Sequence, residues 1–157
     1  MRKVVVNTTP IIALANIGQL DLLKKLYGEI AIPKAVDLEI LSEPARSLVN
    51  AASWIKVVTQ DFANWKSTFS TRLHAGEIEV LLLAEACDAD LLILDDNAAK
   101  KTAKYLGFTV TGTMGVLLKA KREGYIDKVK PLMENLIDDG FYISPIVQSY
   151  VLEAAEE

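Results

Sequence analysis

Apolar residues in this chain fall into two rhythms. Short unbroken runs alternate with longer stretches in which apolar positions recur every three or four residues. Val4-Val5-Val6 and Leu91-Leu92-Ile93-Leu94 are the clearest runs, and such runs fit strands covered on both faces, the habit of a central parallel strand. The first run stops at Asn7-Thr8-Thr9-Pro10, where Thr9 suits an N-cap and Pro10 the first helical position, predicting a helix that ends at Gly18. A second helix is predicted over 20–27, closed by Gly28, and a short strand over 29–32, stopped by Pro33. The next helix, 34–41, turns Val36, Ile40 and Leu41 inward and places Glu39 near the edge of that stripe.

Helical patterning resumes over 45–53, followed by a strand over 54–58. Residues 61–73 are weakly patterned, with Phe62, Trp65 and Phe69 at helical spacing. The helix over 77–87 is apolar around most of its circumference, which predicts burial on several sides, and Glu77 stands in its first turn. After the strand at 91–94 come a helix over 97–106 closed by Gly107, a strand over 108–111 and a turn at Gly112-Thr113. Helices over 115–122 and 128–137, a last strand over 141–143 and a final helix capped by Ser144-Pro145 complete the chain. This alternation predicts a three-layer α/β/α sandwich with a mainly parallel central sheet.

Length and composition narrow this picture. A chain of 157 residues, 51% hydrophobic and 24% charged, is expected to be a single domain over 1–157 with a core that needs no staples. No apolar stretch approaches the ~18 residues of a membrane span, and the run after Met1-Arg2-Lys3 is too short for a signal peptide; a cytoplasmic protein is expected. The single cysteine, Cys87, allows neither an internal disulfide nor a cysteine metal site and reads as a packed thiol. Net charge is −4, which argues against coating nucleic acid through bulk charge. Locally the balance reverses: residues 100–130 hold Lys100, Lys101, Lys104, Lys119, Lys121, Arg122, Lys128 and Lys130 against only Glu123 and Asp127. Such a run is either a solvated set of helix faces or a surface for phosphates.

The candidate chemistry lies in the acids. In a parallel sheet the carboxyl ends of neighbouring strands share one edge, the edge where ligands bind. Asn7 and Asp95-Asp96 end strands, and Glu39 and Glu77 could reach the same edge from flanking helices. Several carboxylates forced together repel, and oxygen donors without a Cys or His cluster select Mg²⁺ or Mn²⁺. Metal-assisted phosphoryl chemistry suits such a cluster. Singly, each acid also has a structural reading: an exposed helix charge for Glu39, a first-turn charge for Glu77, a helix cap for Asp95 or Asp96.

Four stretches, in order, resemble the motifs of PIN-domain proteins: 4–15 (VVVNTTPIIALA), 31–39 (AIPKAVDLE), 76–84 (GEIEVLLLA) and 91–96 (LLILDD). The stretch 112–121 (GTMGVLLKAK) resembles an uncharacterised prokaryotic PIN-like subfamily. The resemblance implies a Mg²⁺- or Mn²⁺-dependent RNA endonuclease, often the toxin of a toxin–antitoxin pair and often a homodimer. Carried over, it makes Glu39, Glu77 and Asp96 metal ligands and Asp95 an added candidate, with Thr8 or Thr9 orienting a side chain or water. Asn7 takes the place of the aspartate usual in active members; its amide oxygen can ligate a hard cation but brings no charge and no base. No further aspartate follows Asp96. The catalytic set is therefore Asn7, Glu39, Glu77, Asp95 and Asp96, with RNA held by Lys100, Lys101, Lys104, Lys119, Lys121 and Arg122. The alternative is a PIN-like module with little or no catalysis that binds RNA or a protein partner.

Other features read more plainly. His74 is a lone loop histidine, Trp54, Trp65 and Phe69 fit core packing better than base stacking, and Gly112-Thr113-Met114-Gly115 lacks a P-loop lysine and reads as a turn. Absence of a glycine-rich fingerprint after Val6 counts against a dinucleotide site.

Overall fold

Five strands, β1 (Val4–Val6), β2 (Ile30–Pro33), β3 (Ile55–Val58), β4 (Leu91–Ile93) and β5 (Val110–Thr111), form one sheet in the order β3-β2-β1-β4-β5. Every pairing is parallel, with Val5 opposite Ala31 on one side and Leu92 on the other. The computed structural model describes residues 2–59 and 75–157; Phe62, Trp65, Phe69 and His74 lie outside them. All three residues of β1 and of β4 are buried. Side chains alternate between faces along a strand, so this burial requires cover on both sides. The middle strand is β1, with β4 interior beside it.

Among the described residues the helices are α1 (Thr8–Asn16), α2 (Asp21–Tyr27), α3 (Lys34–Glu39), α4 (Ala45–Ala51), α5 (Ala75–Cys87), α6 (Asn97–Tyr105), α7 (Thr113–Arg122), α8 (Lys130–Asp138) and α9 (Pro145–Ala154). Helix α5 packs on β1 and β2 and against α3, and burial of Val80, Leu81, Leu82, Leu83 and Ala84 confirms that it is covered on several sides. The architecture is the α/β sandwich that the alternation of runs and periodic stretches predicts. The thiol of Cys87 is half-buried on α5, facing the Ala84 carbonyl oxygen at 3.9 Å, and burial pushes its pKa up.

Four local expectations are corrected. Helix α1 starts at Thr8 with Asn7 as its N-cap, ahead of the expected cap at Thr9. Proline is tolerated throughout a first turn, whose N–H groups have no intrahelical partner, so Pro10 does not fix the start. Gly112-Thr113 is the opening of α7, because a carboxylate from β4's end satisfies its first N–H. Residues 141–143 form no strand: the Phe141 N–H donates to the Leu136 carbonyl and the Ile143 carbonyl accepts from Gln148. Finally, β5 is only Val110–Thr111, because the Phe108 N–H closes off α6 by bonding Ala103.

Candidate functional site

The strand order places a topological switch between β1 and β4, since the chain steps toward β3 after β1 and toward β5 after β4. Open parallel sheets bind ligands outside the carboxyl ends of the strands at such a point. Asn7 leaves β1 there, its N–H bonded to the Ile93 carbonyl of β4 at 3.0 Å. It caps α1 through its backbone alone; its side chain makes no cap hydrogen bond and the residue is 5% exposed. The amide of Asn7 is therefore held at the switch point without being consumed by the helix.

Glu39 is positioned by a short helix with a support at each end. Six residues are too few for a stable helix in isolation, yet α3 is braced. The buried Glu79 carboxylate accepts from the Ala35 N–H at 3.2 Å, at the helix start. At the other end Arg46 donates to the carbonyls of Asp37 and Ile40 at 2.7 and 3.1 Å and to the Asp37 carboxylate at 2.7 Å. Acid at the start and cation at the end both suit the helix dipole. Burial pushes the Asp37 carboxyl up, but the hydrogen bonds and charge of Arg46, with those of Lys34, outweigh it and hold the pKa low. Glu39 then reaches back toward β1, accepting from the Thr8 hydroxyl at 2.7 Å.

Its carboxylate also lies over Gly76: a Cβ there would fall 2.9 Å from Glu39 Cδ and 3.0 Å from Oε2. The missing side chain leaves Glu39 room over the first turn of α5, the turn that also carries Glu77, 6% exposed. Glycine at position 76 is thus a spatial requirement of the site.

The two aspartates after β4 divide their work. Asp95 is tied down: Oδ1 accepts from the Thr113 N–H at 2.8 Å and Oδ2 from the Thr113 hydroxyl at 2.6 Å. Its carboxylate fills the anion position at the start of α7. Asp96 is the N-cap of α6, with Oδ2 accepting from the Ala99 N–H at 2.8 Å, and it is exposed. Lys100, one turn further, brings its ammonium to Gly112, 3.0 Å from where a Cβ would be.

Glu77, Asp95, Asp96 and Lys100 line one open cleft of about 780 Å³, closed on its far side by the 140–147 segment with Phe141 and Tyr142. As the side chains lie, no group of three or more His, Cys, Asp or Glu among the described residues is arranged to hold a metal ion.

The expected RNA contacts are not one surface. Lys100 lines the cleft, and Lys101 and Lys104 are exposed along α6. Helix α7 runs away from the cleft, carrying Lys119, Lys121 and Arg122 in its last turn to the opposite edge of the sheet. There Lys119 lies over the Tyr27 ring and Lys121 bonds the Ala155 carbonyl and the Glu157 carboxylate. Sequence reasoning missed Glu79, Thr113 and Tyr142. For Glu79 there was a faint signal, an acid in an otherwise apolar helix; Thr113 and Tyr142 carry none without the tertiary fold.

Comparison with known proteins adds one match. The family model DUF3368, described as a PIN domain, matches residues 3–157. No protein of curated function matches the chain.

Proposed function

Because the chain belongs to the PIN-domain family, we propose that the cleft is the site of a Mg²⁺- or Mn²⁺-dependent RNA endonuclease. The observation that supports this most directly is the gathering of Glu77, Asp95 and Asp96 along one open cleft at the β1/β4 switch point. The donors there are hard oxygens, which suit Mg²⁺ or Mn²⁺. Asn7, Glu39, Glu77 and Asp96 would hold the ion. Glu39 and Asp96 are exposed, so their side chains can swing toward the buried Glu77 without disturbing the core. A bound ion would supply an activated water and stabilise charge on the phosphoryl oxygens.

The chain's own side chains do the rest. Thr8 orients Glu39 through its hydroxyl. Asp95, with both oxygens engaged by Thr113, acts as a positioning residue that fixes the end of β4 against α7. The Lys100 ammonium is placed to meet a phosphate of the RNA backbone, with Lys101 and Lys104 extending that contact along α6. The same reading makes residues 1–157 one functional unit in the cytoplasm, active as a homodimer and paired with an antitoxin protein.

A second reading, a module that binds RNA or protein with little catalysis, is favoured by one residue. Asn7 removes a charge and a base from a buried position of the site. Calorimetric titration of Mn²⁺ into the protein separates the two, with Glu77→Ala and Asp96→Ala as controls, followed by cleavage assays on single-stranded RNA. Binding that both variants lose, with metal-dependent cleavage, is the expected result. A wild-type protein that takes up no Mn²⁺ would leave the non-catalytic reading standing.

A further inference from the structure

Three cations that the cleft does not use meet at the amino edge of the sheet. Arg2 precedes β1, and Lys119 and Arg122 lie in the last turn of α7. Their common neighbour is Tyr27, the last residue of α2, which is 8% exposed. The Lys119 ammonium stands 4.6 Å from the Tyr27 ring centroid and the Arg2 guanidinium carbon 5.9 Å. Burial pushes the Tyr27 hydroxyl up in pKa, while the charges of Arg2 and Arg122 pull it down; Arg122 follows Lys119 by three residues, on the same side of the last turn of α7.

Cations in a last helical turn have an ordinary explanation in the helix dipole, and an aromatic face attracts a cation. Each explains a cation singly; neither offsets the repulsion among three positive charges brought together from two parts of the chain. None of the three is in an ion pair among the described residues. Burial lowers the Lys119 pKa, and the neighbouring Arg2 and Arg122 charges lower it further against Glu123. Lys121, between them in sequence, turns away to Glu157, and the exposed Lys24 and Lys25 on α2 add positive charge nearby. Like charges gathered around one ring repel one another, and a bound oxyanion relieves that repulsion through charge-assisted hydrogen bonds.

We propose that Arg2, Lys119 and Arg122 form a phosphate-binding site, separate from the cleft and on the opposite edge of the sheet. Its ligand is a phosphate oxyanion, carried either by an RNA backbone or by a free phosphate compound. The site stands whether or not the cleft cuts RNA.

The test uses the full chain in EDTA, so that cleft metal plays no part. Pyrophosphate binding is measured by calorimetry, and a labelled ten-nucleotide single-stranded RNA is titrated by anisotropy across a range of KCl. The double variant Lys119→Gln/Arg122→Gln is expected to lose about tenfold or more in affinity for at least one probe, with Lys119→Arg retaining wild-type binding. Arg122 is exposed, so Arg122→Gln alone, which leaves the core untouched, is expected to show a smaller loss of the same kind. If RNA is the source, its salt slope falls by about 1.4, two phosphate contacts at ~0.7 each. If a free phosphate compound is the source, pyrophosphate affinity falls while RNA binding is unchanged. Equal binding of both probes by wild type and double variant would overturn the proposal.

Discussion

Asn7 is the residue on which the proposed activity turns. It is nearly buried at the carboxyl end of β1, and its side chain does not cap α1. Asn7→Asp would add a nearly buried carboxylate to the proposed ligand set of Glu39, Glu77 and Asp96 in the metal-free protein. It is expected to lower metal-free stability by ~1–3 kcal/mol, the scale for a poorly compensated buried polar group, and to regain it with Mn²⁺ as ion binding favours the folded state. Denaturant melts with and without Mn²⁺ check the first part, and a gain in RNA cleavage the second. The adjacent aspartates allow a sharper contrast. Asp96→Asn keeps a good N-cap and is expected to lose Mn²⁺ affinity with little change in stability. Asp95→Ala removes two hydrogen bonds from Thr113 and is expected to cost ~1–3 kcal/mol while Mn²⁺ binding persists. If Asp95→Ala instead abolished Mn²⁺ binding in a fully folded protein, Asp95 would be a ligand and the division of roles drawn here would be wrong.

At the scale of elements, α3 and the start of α5 work as a pair. Glu79 holds α3 by its first turn, and Gly76 leaves room for Glu39. In Gly76→Ala the added methyl meets the end of a flexible side chain, so Glu39 moves and the backbone need not. Alanine also favours a helix over glycine by about 1 kcal/mol. The expected variant is as stable as wild type or slightly more so, yet weaker in Mn²⁺ affinity and cleavage, a split that thermal melts and calorimetry on one preparation would reveal. Element boundaries also show what the amino-acid order could and could not disclose. The runs at β1 and β4 announced themselves because burial on both faces leaves no polar position inside them. The capping glycine at 28 and Ser144-Pro145 were equally plain, being local chemistry. Commitment of Asp95 to Thr113 was invisible, because it depends on β4 and β5 lying side by side. Grouping Lys119, Lys121 and Arg122 with Lys100 followed nearness in sequence, whereas a ten-residue helix carries its last turn ~10 Å from its first. Residues 141–143 looked like a strand by composition, but their backbone groups bond to helices.

At the scale of the whole molecule, the last residues are knitted into the fold. The Glu157 carboxylate accepts from the N–H groups of Val129 and Lys130 at 2.7 and 2.9 Å and from the Lys121 ammonium at 3.0 Å. Burial would push its pKa up, but these bonds and the Lys121 charge bring it down to about 2 from 4.5. A carboxyl depressed in the folded state stabilises above its unfolded pKa, and that contribution is lost as pH falls through the folded one. Stability is therefore expected to decline between about pH 4.5 and pH 2, and Glu157→Gln to flatten that part of the profile in urea melts taken at stepped pH. The exposed Ile146 and Tyr150, four residues apart on one side of α9, and the exposed Tyr142 ahead of that helix remain open to solvent. No helix among the described residues is long and apolar enough to cross a membrane.

The register of β1 against β4, with Val4 opposite Leu91 and Val6 opposite Ile93, also has a consequence in time. Strand β1 is made first, but the partner that completes the cleft arrives more than half a chain later. Pairings so distant in sequence close slowly, because the intervening loop must lose its freedom before the contact repays it. The acids at 39 and 77 can thus be synthesised and even locally folded while Asp95 and Asp96 are still missing. A growing chain carries every early piece of the site and none of its function. If the cleft acts as proposed, its action can begin only once the molecule is nearly whole.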